Sequence, residues 1–165
     1  MSYDAIITRV GAKAFFDLKG PQPGLADWAG ELLPPFPTTP NSASKKGDSE
    51  LIFVGRNHWL LRAPLAREAD LAAALRPELA PPEISVVRVS DTQTFFSITG
   101  PDADQIMSIA SPLDVHPTVF PDNGATFSEA FGLKALIFRQ SDGFWLAVEQ
   151  SFGDMIEDYF ARAMS

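Results

Sequence analysis

An internal repeat constrains the fold of this chain more than any other feature of its sequence. Three dipeptides occur in the same order and with similar spacing in both halves of the chain. They are Arg9-Val10, Phe15-Phe16 and Gly20-Pro21 in the first half, and Arg88-Val89, Phe95-Phe96 and Gly100-Pro101 in the second. Each set is typical of strand, tight turn, strand and a Gly-Pro stop before a helix. We therefore expect two copies of one structural unit.

A second pair of segments extends the repeat. Leu51-Ile52-Phe53 with Trp59-Leu60 is matched by Leu136-Ile137-Phe138 with Trp145-Leu146. A solenoid needs about three or more copies to cover its faces, so two copies favour a closed domain. We predict an α+β fold in which two pseudo-repeated ββαββα units form one compact duplicated domain over 1–165. The repeats are expected at about 1–80 and 84–165.

Apolar residues at helical spacing predict a helix at the end of each half-unit. Ser151 and Asp154 have the spacing of a capping box at the start of the last helix. The four helices are expected at Leu25 to Leu32, Pro64 to about Arg76, Asp102 to Ala110, and Phe152 to Ala163.

The segment 34–50 is the one low-complexity stretch, rich in Pro, Ser, Thr, Lys and Gly, with Phe36 as its only large apolar side chain. Such a composition buries too little apolar surface to order itself, so a flexible surface loop is expected. A lid or partner-binding arm is the functional alternative to a long connection inside the first repeat.

Charge and composition exclude several classes of protein. The formal net charge of −8 argues against a nucleic-acid footprint and against an anionic membrane surface. No apolar run reaches the roughly 18–20 residues of a membrane helix, and the N-terminus has no signal-peptide pattern. The chain has no cysteine, which excludes disulfides, thiolate metal sites and cysteine nucleophiles. A cytoplasmic protein is expected.

No catalytic constellation is predicted from the residues. The only histidines are His58 and His116. Ser111, Asp114 and His116 are close in sequence, but neighbours on one loop rarely converge on one reacting atom, and no nucleophile-elbow spacing surrounds Ser111. We expect these three residues to cap the loop after a helix, and His58 to be a surface residue.

Metal and anion sites are also not expected. Asp102, Asp104, Asp114 and His116 have no metal-binding spacing, and acidic residues at a helix start complement the helix dipole. The turns at Gly20-Pro21 and Gly100-Pro101 precede helices but lack a phosphate-loop pattern. We interpret them as strand-to-helix turns repeated by duplication.

Aromatic residues leave two alternatives open. Trp59 and Trp145 occupy similar positions in the repeats, which favours a shared core role. Four phenylalanines in predicted loops either form an exposed patch for a partner or fold inward. They are Phe36, Phe120, Phe127 and Phe131.

The second half of the chain contains a set of short motifs in a characteristic order. They are Gly100-Pro101, 112–117 (PLDVHP), Phe120-Pro121, Gly124 and Ser151-Phe152. Through these residues the second half of the chain resembles the sarcosine oxidase gamma subunit family. Ser111 stands where that family often has Cys, and Thr126 is followed by Phe127 rather than Arg. The resemblance covers mainly residues 84–165.

The resemblance implies an aminomethyltransferase-like, folate-binding-like fold and the role of a non-catalytic gamma-type subunit. Its partners would be the larger flavoprotein subunits of a heterotetrameric sarcosine oxidase-like complex. FAD, FMN, NAD and tetrahydrofolate are implied for the whole complex, and none of them for this chain alone. No catalytic, cofactor-binding or metal residue is carried over, and the Lys-Gly-Cys motif of the family's iron–sulfur repair relatives is absent.

Two other functions stay open at this point. A stand-alone folate-binding or aminomethyl-transfer protein would need a carboxylate beside a pterin-sized cavity, for which Asp91 and Asp114 are the first candidates. A homo-oligomer of another function is the third possibility.

Overall fold

The computed structural model describes residues 3–165 and contains, within that range, two five-stranded antiparallel sheets and four α-helices. The strands are β1 Ile6–Val10, β2 Lys13–Lys19, β3 Ala43–Lys46, β4 Ser49–Gly55, β5 His58–Pro64, β6 Ser85–Arg88, β7 Gln93–Thr99, β8 Ala125–Ala130, β9 Leu133–Gln140 and β10 Gly143–Glu149. The helices are α1 Gln22–Ala29, α2 Glu68–Leu75, α3 Ala103–Ala110 and α4 Gly153–Met164. The predicted combination of helices with antiparallel strands is confirmed.

The chain divides into two compact units. One unit is Lys13–Ser90, and the other combines Asp91–Ser165 with the N-terminal segment up to Ala12. We call them the middle unit and the terminal unit. No helix among residues 3–165 combines the length and the apolar character that crossing a membrane requires.

The middle unit contains the sheet β3-β4-β5-β2-β6. Period-two alternation in β2 places Phe16 and Leu18 on the face that the helices cover, while Asp17 points to the other face. The helices α1 and α2 each contribute apolar residues to the same core. This core includes Phe16, Leu18, Leu25, Trp59, Leu61, Leu71 and Leu75.

The terminal unit contains the sheet β1-β7-β10-β9-β8. The helices α3 and α4 have clear apolar faces, and both pack into the core of this unit. Phe160 lies at the centre of an aromatic group, with its ring centroid 5.8 Å from Phe96 and 5.2 Å from Phe131. The core also includes Ile98, Ile106, Phe144, Leu146 and Ile156.

The first strand of each sequence repeat pairs in the sheet of the other repeat. In the terminal unit β1 pairs with β7, and Arg9 lies opposite Phe96. In the middle unit β6 pairs with β2, and Arg88 lies opposite Phe16. The predicted turn-linked pairing of β1 with β2, and of β6 with β7, is therefore wrong. The structural units also differ from the predicted repeats, because each has exchanged its first strand.

Turn geometry explains why these strands do not pair with their neighbours in sequence. Each of the four true hairpins carries a residue of positive φ at or beside its turn, as tight hairpins generally require. These residues are Gly47 (60°), Asn57 (56°), Gly132 (80°) and Gly143 (150°). Neither Gly11 nor Ala12, which join β1 to β2, is among the positive-φ residues, so the chain continues into a different sheet.

Between the two helices of each repeat the structure has three turn-linked strands rather than two. The observed order is therefore ββαβββα, and the predicted ββαββα pattern lacks one strand. In the middle unit this strand is β3, which lies inside the segment 34–50 that was expected to be flexible. That expectation is wrong because β3 pairs with β4, and the Phe36 ring lies edge-on to Trp59 at 5.0 Å. Ser42 is buried, its carbonyl accepting a hydrogen bond from the Phe53 amide at 2.9 Å.

Two local predictions also fail. Trp59 lies opposite Leu18 on the core face, whereas Trp145 lies opposite Ser97 on the other face of its sheet. The buried residue that matches Trp59 by register is Phe144, so the two tryptophans are one residue out of phase. Ser151 does not cap α4, because it lies within a 3₁₀ turn that runs directly into the helix.

Candidate functional site

Ser111, Asp114 and His116 are engaged in turn hydrogen bonds rather than with one another's reactive atoms. Ser111 Oγ accepts a hydrogen bond from the Leu113 amide at 3.2 Å, and Asp114 Oδ1 accepts one from the His116 amide at 2.9 Å. The His116 imidazole Nδ1 lies 2.7 Å from Thr118 Oγ1. This is the loop-capping arrangement expected from the sequence.

Arg139 fixes the loop that these residues form. Its Nε donates to the Phe120 carbonyl at 2.7 Å, and its Nη2 donates to the Val115 carbonyl. The guanidinium also lies 4.6 Å from the centre of the Phe144 ring. Sequence reasoning missed this residue, because a lone arginine in a strand gives no signal of the distant carbonyls that it reaches.

His58 lies beside a carboxylate. Its Nε2 is 2.6 Å from Asp17 Oδ1, and the Lys19 ammonium is 3.4 Å from the other oxygen of the same carboxylate. The antiparallel register of β2 and β5 places Lys19 opposite His58 and so brings the three side chains to one sheet face. His58 is partly exposed, and its partner Asp17 is shared with the charged side chain of Lys19, so this group resembles a surface ion-pair cluster.

Asp102, one of the acidic residues considered as a metal ligand, is engaged in hydrogen bonds within the fold. Asp102 Oδ2 accepts a hydrogen bond from the Asp4 amide at 2.7 Å, and its Oδ1 accepts one from the Gln105 side chain at 2.8 Å. Among residues 3–165 no group of three or more His, Asp or Glu side chains has metal-binding proximity. Asp102 thus ties the N-terminal segment to the start of α3.

The two Gly-Pro turns have a structural role. A Cβ on Gly20 (φ 140°) would lie 2.7 Å from the Glu83 carbonyl oxygen, and one on Gly100 (φ 107°) would lie 2.7 Å from that of Asp4. Both carbonyls belong to the segment that leads into an exchanged strand, β6 or β1. Glycine is therefore needed at both turns so that the exchanged segment can pass.

A buried ion pair lies on the middle unit. Arg62 donates from Nε and Nη2 to Glu50 Oε2, and the Glu50 side chain is only 5% exposed. Lys45 approaches the same carboxylate at 3.9 Å. Burial, and secondly the charge of Arg62, lowers the pKa of Lys13. This cluster has the character of a structural network, because both members of the ion pair are largely buried and each is engaged by the other.

Each unit carries a cleft on its surface. One, of about 190 Å³, is lined by Arg9, Val10, Ala12, Gln93, Thr94 and Gln150 of the terminal unit. The other, of about 270 Å³, is lined by Gly24, Asp27, Trp28, Pro81, Glu83 and Ile84 of the middle unit. Asp91 and Asp114, the carboxylates considered for a folate site, line neither cleft and are exposed.

The loop phenylalanines mostly fold inward. Phe120 is buried, and Phe131 lies 5.3 Å from the Tyr159 ring. Phe36 packs on Trp59, as described above. Only Phe127 is among the exposed large apolar residues, and the Lys134 ammonium lies 4.4 Å from its ring centre. Of the two alternatives for the aromatic loops, inward packing holds for three of the four residues.

Comparison with known proteins supports one family. Residues 37–164 match the "Sarcosine oxidase, gamma subunit family". No curated protein sequence matches the chain significantly. The fold is similar to a chain of the heterotetrameric sarcosine oxidase from Corynebacterium sp. U-96, with a TM-score of 0.87 and 20% identity over 97% of this chain and 83% of that one.

A second solved structure shares the fold. It is aminomethyltransferase T of the glycine cleavage system from Bartonella henselae, with a TM-score of 0.72 and 14% identity. The likeness covers 96% of this chain but only 46% of the aminomethyltransferase, so this chain spans about half the length of that protein. The family match covers most of this sequence, and the chain therefore belongs to the sarcosine oxidase gamma subunit family.

Proposed function

We propose that this chain is a non-catalytic gamma-type subunit of a heterotetrameric sarcosine oxidase-like complex. The observation that carries the proposal is the family match over residues 37–164. The fold is also similar to a sarcosine oxidase chain over 97% of the present chain. The side chains that a catalytic reading would use, Ser111 and His116, form turn hydrogen bonds instead. The chain would thus contribute structure to the complex.

The reaction proposed for the complex is the oxidative demethylation of sarcosine. Sarcosine, O₂ and tetrahydrofolate would give glycine, hydrogen peroxide and methylenetetrahydrofolate, so that the methyl carbon leaves on the folate. FAD, FMN, NAD and tetrahydrofolate would be held by the larger subunits. We place this complex in the cytoplasm.

The proposed fold history is a duplication with strand exchange. Each sheet has the same order of corresponding strands, and the arginine of each first strand lies opposite the second phenylalanine of the other copy's Phe-Phe pair. We propose that the ancestral unit was ββαβββα and that residues 1–165 act as one duplicated, aminomethyltransferase-like domain.

The test is capture of the tagged chain from its native cells. The proposal predicts that larger chains are recovered with it, that the eluate absorbs as a flavoprotein, and that it forms hydrogen peroxide when sarcosine is added. The matched control is the same tag on an unrelated protein of similar acidity. Recovery of the chain alone, colourless and inactive, would refute the subunit role.

A stand-alone folate-binding or aminomethyl-transfer function is the second candidate. It is favoured by the fold similarity to the glycine cleavage aminomethyltransferase. This function predicts that the isolated chain binds tetrahydrofolate in a calorimetric titration, whereas the subunit proposal predicts no heat of binding without the larger subunits.

A further inference from the structure

The cleft of about 270 Å³ on the middle unit is acidic and has an aromatic wall. Trp28 and Asp27 come from α1, whereas Pro81, Glu83 and Ile84 come from the segment that leads into β6. Ile84 is buried and gives the cleft an apolar base. Gly24 keeps the helix side of the cleft free of side-chain atoms.

The indole of Trp28 is fixed before any partner binds. Its Nε1–H donates to the Leu75 carbonyl at 2.7 Å, which links α1 to the end of α2. The Arg76 guanidinium lies 4.7 Å from the ring centre and covers part of the indole. Because the N–H is already satisfied, Trp28 offers its aromatic surface to the cleft rather than a hydrogen-bond donor.

The two carboxylates of the cleft are uncompensated. Neither Asp27 nor Glu83 forms an ion pair with any residue in the described part of the chain, and both are exposed. They add to a chain whose formal net charge is already −8. A cleft of this kind disfavours anions and attracts a cation to its carboxylates. Because the Arg76 guanidinium already occupies part of the Trp28 ring, the indole contributes an apolar wall against which an entering side chain can pack.

We infer that this cleft receives a lysine or arginine side chain from one of the larger subunits. The inference rests on the proposed subunit function. Tryptophan and arginine are among the residues most enriched at the energetic centres of interfaces, and two carboxylates in a cleft lined by an indole suit a guanidinium in particular. A resident metal fits less well, since the described residues supply no group of three ligating side chains here.

The first test neutralises the cleft without changing its shape. The double variant Asp27→Asn/Glu83→Gln is compared with wild type for binding to the larger subunits, by calorimetry at low and high salt. We expect Kd to rise roughly tenfold, equivalent to about 1.4 kcal/mol, and the salt dependence of binding to weaken. The control Asp122→Asn/Glu129→Gln removes two exposed carboxylates of the terminal unit and should change Kd less than twofold.

The second test fills the cleft without changing its charge. A Cβ on Gly24 would lie 3.6 Å from the Ile84 methyl group, an ordinary contact, so Gly24→Ala should bind normally. Gly24→Leu should block the cleft and weaken binding, with circular dichroism confirming that both variants are folded.

An unchanged Kd for the neutralised variant Asp27→Asn/Glu83→Gln overturns the inference and leaves the proposed function intact. Failure of wild type to bind overturns both.

Discussion

Arg9 lies directly opposite Phe96 in the antiparallel pairing of β1 with β7. Its side chain also reaches α4, where Nη1 is 2.6 Å from Asp154 Oδ1 and 3.2 Å from Glu157 Oε2. In the middle unit the corresponding Arg88 lies 3.4 Å from Glu68, the first residue of α2. Each exchanged strand is therefore held both by its sheet and by its own arginine, which reaches a carboxylate in the first turn of a helix.

Arg9→Gln is expected to destabilise the terminal unit slightly. Asp154 is 95% exposed, so solvent screening limits the pair and the loss should stay below about 1 kcal/mol. The hydrogen bond with Asp154 raises the pKa of Arg9, so the guanidinium stays charged at any working pH. Urea unfolding at low and high salt measures the effect, which should shrink as salt rises. An equal loss at both salt concentrations would contradict the ion-pair account.

Gly100→Ala is expected to destabilise the protein by about 1–3 kcal/mol, because the residue has positive φ and its Cβ would meet the Asp4 carbonyl at 2.7 Å. Gly11→Ala is the control, since a Cβ there meets nothing within 4 Å. That substitution should be neutral or stabilising by about 0.4–1 kcal/mol. Chemical denaturation of both variants checks this contrast, and similar stabilities would show that the close approach at Gly100 is unimportant.

Arg62→Met is expected to cost about 3–5 kcal/mol, because it leaves the buried Glu50 carboxylate without its hydrogen-bonded partner. The double variant Glu50→Met/Arg62→Met should recover much of that loss. Arg67→Met, which breaks an exposed pair with Asp48, serves as the control and should cost less than about 1 kcal/mol. Equal effects of Arg62→Met and Arg67→Met in denaturant unfolding would contradict a buried-charge penalty.

The free energy of unfolding is expected to rise with pH just below pH 10.5, because Lys13 loses its proton more easily in the folded state than in the unfolded state. Burial, and secondly the charge of Arg62, lowers the folded-state pKa of Lys13 from its ordinary value of 10.5. In that window the unfolded state binds more protons than the native state, so deprotonation stabilises the fold. Unfolding free energies measured at pH 8 and near pH 10.5 should show the rise in wild type. Lys13→Met should reduce it, and an unchanged slope would assign the rise to other groups.

The sequence repeat predicts much of the local structure. The Gly-Pro turns before α1 and α3 and the apolar faces of α3 and α4 lie where periodicity and turn chemistry place them. These features depend on residues close together in the chain, which is why local patterns reveal them.

The exchanged strands could not be predicted from local pattern. The partner of β1 is chosen by long-range pairing, and the sequence around Gly11 is compatible with a turn even though the backbone there makes none. The strand β3 was missed for a related reason. Its residues have low apolar content, and the backbone hydrogen bonds to β4 that order them carry no signal in composition.

The side-chain clusters depend on tertiary geometry in the same way. Trp28 lies inside the helix predicted over Leu25 to Leu32, but the sequence does not indicate that its half-buried ring lines a cleft, which forms because the segment before β6 returns beside α1. The carboxylate residues Asp27 and Glu83 are far apart in sequence and line the same cleft only in the folded unit.

The most direct test of the subunit role is the native mass of the complex recovered with the tagged chain. The account predicts a flavin-absorbing particle that contains this 17.9 kDa chain together with larger chains of different sequence. A colourless species with the mass of the chain alone, or of a multiple of it, would contradict the account.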